Sequence, residues 1–482
     1  MNPHNVEIVT MTNWLPDVSA GTGPIYVRLA DQIETAITDG TLPSGAKLPP
    51  QRNLAFDIGV TIGTVGRAYA LVHERGLVSG EVGRGTYVLP PAEANSTTPA
   101  DPIRTSWSRS KLPDADPAIL RFDTTAAPDV GQADNVSEAM AAIMREHPLD
   151  MTSYTRIFPQ HWFEAGARWL ARGNWRPSPD SIVPALGAHA AIMAVISAVT
   201  APGDKVLFEH LTYSRISRSA SLIGRRTVLA EADGDGLRPD EFERLCAQQH
   251  PKLAFLMPTG HNPTAISLPE ERRRAIAEVA RKYNVMLIED DLYGAMIDDT
   301  RPLLAEFAPE RTFVVGGFSK SVAAGIRGGW VSCPAHFSQR VSNAHKMVTG
   351  GMPFMLGELC ARLVMTGEAD AIRRDCITEV SLRESSARRI FEGHDLASRP
   401  GIPFLWLKLP DPWLSGVFKN AAFREGVLID DEDEFKAGRS DRSYHRVRIG
   451  FSTQASIAQA ERGFHILRRL LETGDAGYDS YA

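Results

Sequence analysis

Ile25, Leu29, Ile33 and Ile37 recur every four residues, the apolar stripe of an amphipathic helix that Asp39-Gly40 ends. Pro43-Ser44-Gly45 makes a turn, and Leu48-Pro49-Pro50 leads into a short helix through Leu54 and Ala55 that Gly59 breaks. Thr61 caps a second helix carrying Val65, Tyr69 and Val72, which Gly76 stops. Two strand-like pieces, Leu77–Ser79 and Thr86–Leu89, flank Glu81-Val82-Gly83-Arg84-Gly85. Helix, helix, turn, helix and a glycine-tipped hairpin outline a winged helix-turn-helix.

The pattern then lapses. Pro90 to Ala118 is rich in Pro, Ala, Ser, Thr and Asp and has no sustained apolar period, the composition of a linker. From about Arg121 onward, apolar runs alternate with helical stretches: Lys205-Val-Leu-Phe, Leu253-Ala-Phe-Leu-Met, Val285-Met-Leu-Ile and Thr312-Phe-Val-Val, with helix-patterned Glu270 to Lys282 among them. This alternation predicts an α/β domain with a mainly parallel sheet and its ligand at the strand C-terminal ends. The expected division is residues 20–90 for the head, 91–120 for the linker and 121–482 for the large domain.

Length and composition narrow the reading. At 482 residues the chain exceeds one ordinary core, and 43% hydrophobic with 23% charged residues is a soluble globular composition. The formal net charge of -6 carries no overall basic signature, so nucleic-acid binding has to come from a local patch. Cys246, Cys333, Cys360 and Cys376 are scattered without metal-ligand spacing, as for thiols in a reducing cytoplasm, and no metal is expected. The longest apolar stretch, about Ala190 to Val199, is too short to span a bilayer, so no membrane role and a cytoplasmic location are expected.

Three segments of the head carry a resemblance: Gly40 to Arg52 (Gly-Thr-Leu-Pro-Ser-Gly-Ala-Lys-Leu-Pro-Pro-Gln-Arg), Gly59 to Tyr69, and Gly83 to Val88. In this order and spacing they resemble the GntR-type DNA-reading head. The resemblance implies that Lys47, Arg52, Thr61, Thr64 and Arg67 face the major groove of an operator duplex. Arg84 on the wing would enter or flank the minor groove. Arginine suits both places, through bidentate contact to guanine or phosphate and attraction to a narrow groove. Ile62 stands where this family often has an arginine. Pro24 to Leu89 holds six Lys/Arg against six Asp/Glu, so one head alone should bind weakly and a dimer with two heads is expected.

Chemistry collects at the strand ends of the large domain. Lys320 lies in Phe318-Ser-Lys-Ser-Val-Ala-Ala-Gly-Ile-Arg327, a small-residue loop that a carbonyl can approach, where a lowered pKa would let its amine form a Schiff base. Arg327 supplies a cationic fork for a phosphate. The helix start at Ala188 and His189 offers backbone N–H groups to the same phosphate. Asp290, just beyond Val285-Met-Leu-Ile-Glu, can keep a pyridine nitrogen protonated, and Asn262 and Tyr293 can donate to a ring oxygen. A Ser-Lys loop alone is an ordinary turn. Joined to an acid, a phenol, an amide and a phosphate clamp, it describes pyridoxal 5′-phosphate, with Ser319 and Lys320 in the cofactor-binding set.

These ordered motifs resemble fold-type I aminotransferases, in particular the group of aromatic and α-aminoadipate aminotransferases. That resemblance implies further positions: Tyr213 stacking on the cofactor ring, Tyr154 reaching a partner subunit's cofactor phosphate, and Arg448 gripping an effector α-carboxylate. It also marks departures, since Gly317 replaces a Ser/Thr, Ala324 a proline and Ala265 a glycine. A GntR-type head joined to such a domain resembles the MocR subfamily of transcriptional regulators. The implied protein is a head-to-tail homodimer that binds operator DNA and senses pyridoxal phosphate, an amino-group metabolite, or both, through aldimine formation at Lys320. Two other readings stay open: a working aminotransferase with a regulatory head, and a cofactor-free dimerisation scaffold.

Overall fold

The computed structural model describes residues 14–18, 23–81, 85–89, 119–440 and 442–474. The chain divides into two compact units, with the boundary between Ala115 and Asp116. The linker expected at 91–120 lies almost wholly outside the described residues, as does Arg84.

The N-terminal unit holds α1 (Ile25–Thr38), α2 (Gln51–Asp57), α3 (Ile62–Glu74), and the antiparallel pair β1 (Val78–Glu81) and β2 (Gly85–Val88). Leu29 and Ile33 of α1 meet Val65, Ala68 and Val72 of α3 in one small core, closed by Leu48, Leu54 and Val88. The sharp turn between α2 and α3 is made at Gly59, whose φ of +68° suits a residue without Cβ. Thr61 caps α3 by accepting the Thr64 N–H at 3.2 Å. Arg75, at the end of α3, pairs with Asp31 at 2.7 Å and Glu34 at 2.5 Å on α1, which spends one of the head's few cations on holding the helices together.

The second unit is built on a seven-stranded sheet. Its order is Ile182–Ala185, Gly329–Ser332, Thr312–Gly317, Met286–Asp290, Leu253–Leu256, Lys205–Glu209 and Arg226–Ala230. Every pairing is parallel except the two made by Gly329–Ser332. Most strand residues are buried, as their unbroken apolar runs require when helices cover both faces. Gly187–Val199 is one such helix, apolar nearly all round and buried at nine of its residues. A smaller antiparallel sheet runs Leu396–Ala397, Phe404–Lys408, Arg446–Gly450 and Asp430–Asp431. It brings Arg448 and Asp430 side by side in register.

Candidate functional site

Parallel strands end together, so the loops after them converge. Asp290 is the last residue of its strand, Lys320 lies three residues past the end of Thr312–Gly317, and Asn262 and Tyr213 follow Leu253–Leu256 and Lys205–Glu209. Lys320 donates from Nζ to Thr125 Oγ1 at 3.0 Å, and Thr125 Oγ1 lies 2.9 Å from the Tyr293 hydroxyl. The Lys320 ammonium stands 5.8 Å from the centre of the Tyr293 ring. Burial pushes the Tyr293 phenol up to about 12, so it stays a donor at neutral pH.

Asp290 is 4% exposed and accepts one backbone hydrogen bond, from Leu292 N at 3.2 Å. Burial pushes its carboxyl up to about 7; the Leu292 bond and the attraction of Lys320 pull the other way, and Asp291 adds repulsion. A buried acid so thinly solvated calls for an N–H or cationic partner. Its neighbours Glu289 and Asp291 are differently occupied. Glu289 accepts the N–H groups of Leu304 and Ala305, and Asp291 lies 2.9 Å from the Arg172 guanidinium.

The start of helix Gly187–Val199 is set by close backbone approach. A Cβ on Gly329 would lie 2.8 Å from Gly187 Cα and 3.0 Å from Ala188 N, so only glycine lets the strand Gly329–Ser332 press against the start of helix Gly187–Val199. Arg327, two residues before Gly329, has a left-handed φ of +56°, a costly conformation for a residue with a side chain. Burial lowers the pKa of His189, and Arg327 and Arg215 lower it further, so His189 is neutral beside these cations. Tyr213 sits edge-on to His189 at 6.4 Å, its phenol raised mainly by burial. Ser319 lies in the Lys320 turn, where its carbonyl accepts from Ala127 N at 2.9 Å. Behind the helix start, His345 Nε2 accepts the Leu186 N–H at 3.0 Å; burial holds its pKa down at about 4, so it remains an acceptor.

Gly317 has a steric cause. A Cβ there would sit 2.7 Å from the Gly328 carbonyl oxygen, so the strand pair leaves no room for the expected Ser/Thr. Ala265 carries a φ of +58°, a strained alanine where glycine would be at ease.

Arg448 is buried between Phe404 and Phe435, 5.6 and 4.6 Å from their ring centres. Nη1 donates to Asn262 Oδ1 at 2.9 Å, and Nη2 to Asp430 Oδ2 at 2.5 Å and to the Asp123 carbonyl at 3.3 Å. The Asn262 carbonyl is thus committed, leaving its Nδ2 to donate. Tyr154 is not brought to this cluster; it stands 89% exposed on a surface loop.

Sequence reasoning missed Thr125 and Asp430. Thr125 follows the linker in a stretch without apolar period. Asp430 opens the acidic run Asp430-Asp-Glu-Asp-Glu434, which reads as a solvated face, although Asp430 and Glu432 are buried.

In the head, Arg52 and Arg67 are exposed, Thr61 and Thr64 share a hydroxyl contact of 2.9 Å at the start of α3, and Lys47 lies 5.6 Å from the centre of the Tyr87 ring. Ile62, at the first position of α3, is 52% exposed.

Residues 125–391 match the family model for aminotransferase class I and II, and residues 25–88 match that for bacterial regulatory proteins of the gntR family. An uncharacterised HTH-type transcriptional regulator of Bacillus subtilis, YdeF, is 30% identical over 95% of this chain and 97% of its own. The HTH-type pyridoxine biosynthesis transcriptional regulator PdxR of Corynebacterium glutamicum is 26% identical over 64% of this chain and 66% of its own. Among solved structures, LysN, the α-aminoadipate aminotransferase of Thermus thermophilus complexed with N-(5′-phosphopyridoxyl)-L-leucine, shares the fold. It superposes with a TM-score of 0.67 at 20% identity, over 76% of this chain and 94% of its own.

Proposed function

We propose, from the premise that this chain belongs to the MocR subfamily of gntR-type regulators with a class I and II aminotransferase domain, that it is a DNA-binding transcriptional regulator governed by pyridoxal phosphate and an amino-group effector. The observation that carries this is the convergence of Lys320, Asp290, Tyr293 and Asn262 at the C-terminal ends of the central strands in a chain that also has a winged helix-turn-helix head. The near full-length match to a regulator weighs against a free-standing aminotransferase.

The residues fit the cofactor. Asp290, buried and raised toward neutrality, suits a protonated ring nitrogen, which would return it to its charged form. Tyr293 and the Asn262 amide would donate to the ring oxygen, and Tyr213 would flank the ring. The N–H groups of Ala188 and His189, with Ser319 and Arg327, would hold the phosphate at a helix start whose glycines admit it. Pyridoxal phosphate, when bound, supplies a carbonyl for amines and an electron-withdrawing ring. Lys320 is the in-chain amine for that carbonyl, and Thr125 fixes it against Tyr293. Lys320 is the group with which an arriving amine would compete, and its place beside Tyr293 and Asp290 would let the two occupancies differ in charge distribution.

On the head, Lys47, Arg52, Thr61, Thr64 and Arg67 would contact the duplex, with Arg84 on the wing completing the set. The head's even charge balance favours two heads acting together. A homodimer fits the exposure of Leu149, Tyr154, Ile157 and Met347, at 80%, 89%, 88% and 81%, and the head-to-tail arrangement is what the family resemblance implies. This reading assigns Tyr154 to the partner's cofactor phosphate. Residues 20–90, 91–120 and 121–482 then serve as reader, connector and sensor. With no single helix among the described residues long and apolar enough to cross a membrane, this reading puts the protein in the cytoplasm.

Full-length protein incubated with pyridoxal phosphate tests the cofactor assignment. Visible absorbance retained after gel filtration by wild type and lost in Lys320→Ala supports it; equal retention by both rejects Lys320 as the attachment point. Steady turnover of an amino acid with a 2-oxo acid, with no affinity for any duplex, would establish the enzyme instead.

A further inference from the structure

Arg448 meets a carboxylate of its own chain where an effector carboxylate is expected. Asp430 and Arg448 face each other across the antiparallel pair in the small sheet, both more than nine-tenths buried, with Nη2 and Oδ2 2.5 Å apart. Arginine clasps a carboxylate through two parallel N–H groups, either Nη1 with Nη2 or Nε with Nη2. Both modes need Nη2. Its two hydrogens already have two acceptors, Asp430 Oδ2 and the Asp123 carbonyl. Nη1 is held by Asn262. An incoming α-carboxylate would also sit beside Asp430 in a dry site, two negative charges sharing one guanidinium.

We infer that Asp430 is a specificity-determining residue that fills the carboxylate position of the site, so that the effector is an amine without a carboxylate on the carbon bearing its amino group. This rests on the reading of the pocket around Lys320 as an amino-effector site. Arg448 then shapes the pocket wall and orients Asn262, rather than gripping the ligand. The physical basis is exclusion: an α-amino acid has to displace a neutralised, buried pair, while an amine lacking that group leaves it intact.

The test uses full-length protein loaded with pyridoxal phosphate and probe pairs that differ only by the carboxylate: isobutylamine against L-valine, and ethylamine against L-alanine. Affinities come from calorimetry, with the cofactor absorbance as a second readout. Wild type is expected to bind each amine at least about tenfold tighter than its amino acid, about 1.4 kcal/mol. Asp430→Asn keeps the shape and removes the competing negative charge, and shifts that ratio toward the amino acid by about tenfold or more. Comparing ratios between the two proteins cancels the probes' own basicity. Asp430→Asn/Arg448→Gln, which removes both charges, is expected to bind the amines and to gain nothing for the amino acids. If Asp430→Asn does not fold, the wild-type pairs and the double variant still decide. L-Valine binding wild type more tightly than isobutylamine, or an unchanged ratio in Asp430→Asn, overturns the inference and leaves the amino-effector reading standing. No binding of any probe to any of these proteins while the cofactor is retained rejects that reading, and the inference with it.

Discussion

Asp290 links the site to pH. Its carboxyl is raised to about 7 in the folded chain, against an ordinary unfolded value near 3.9. Between these values the folded state holds a proton that the unfolded state has lost, so stability falls as pH rises, by about 1.4 kcal/mol per unit for such a group. Glu289, also raised to about 7 by burial, acts in the same direction. Cofactor-free protein is therefore expected to melt progressively lower from pH 5 to pH 7, and Asp290→Asn to flatten part of that slope. A melting temperature that rises over this window would contradict the assignment. Ala265 is a second residue with a measurable consequence. Its left-handed backbone costs about 1–2 kcal/mol for a residue with a Cβ, partly offset by the greater unfolded-chain freedom of glycine. Ala265→Gly should raise stability by about 0.5–1 kcal/mol in denaturant titration. Gly317 teaches the opposite lesson. From the sequence it is a lost hydroxyl; in the structure it is a position where the Gly328 carbonyl admits no side chain.

Elements position what residues do, and the antiparallel strand Gly329–Ser332 does so by lying against the start of helix Gly187–Val199. Gly329→Ala would drive a methyl group into the backbone of Gly187 and Ala188, which cannot turn aside. Such overpacking costs about 1–3 kcal/mol. Because the strain falls on the N–H groups that the proposed function assigns to the phosphate, pyridoxal phosphate affinity should drop by more than the loss of stability explains. Equal cofactor affinity in the variant would remove this helix start from the site. The long elements were legible from pattern alone: the four-residue stripe gives α1, Thr61 and Gly76 bound α3 closely, and Glu270 to Lys282 is a helix over the expected span. The four apolar runs are strands, since continuous burial leaves continuous hydrophobicity. The antiparallel strand Gly329–Ser332 and the small sheet were not foreseen. Gly-Trp-Val-Ser has no alternation to read, and strands of two residues such as Asp430–Asp431 are too short to show a period. The same brevity hid Asp430, and Thr125 is placed by the return of the chain from a distant element rather than by anything in its own neighbourhood.

At the scale of the molecule, two modules with separate cores are tied by one chain, and each is readable by itself. The head's fold was legible because its motifs are local in sequence; the cluster around Lys320 was legible because its residues fall at predictable strand ends. How Arg448 is occupied was not, because that depends on a cross-strand neighbour eighteen residues away. The functional claim is that what happens at Lys320 alters what the heads bind. A duplex selected by full-length protein from a random pool, followed by fluorescence anisotropy at fixed salt, measures this most directly. Wild type should change its affinity at least about tenfold, about 1.4 kcal/mol, on addition of pyridoxal phosphate with an amine, and Lys320→Ala should bind the same duplex without responding. A wild-type affinity that ignores both ligands, or a Lys320→Ala protein that responds as wild type does, would contradict the account.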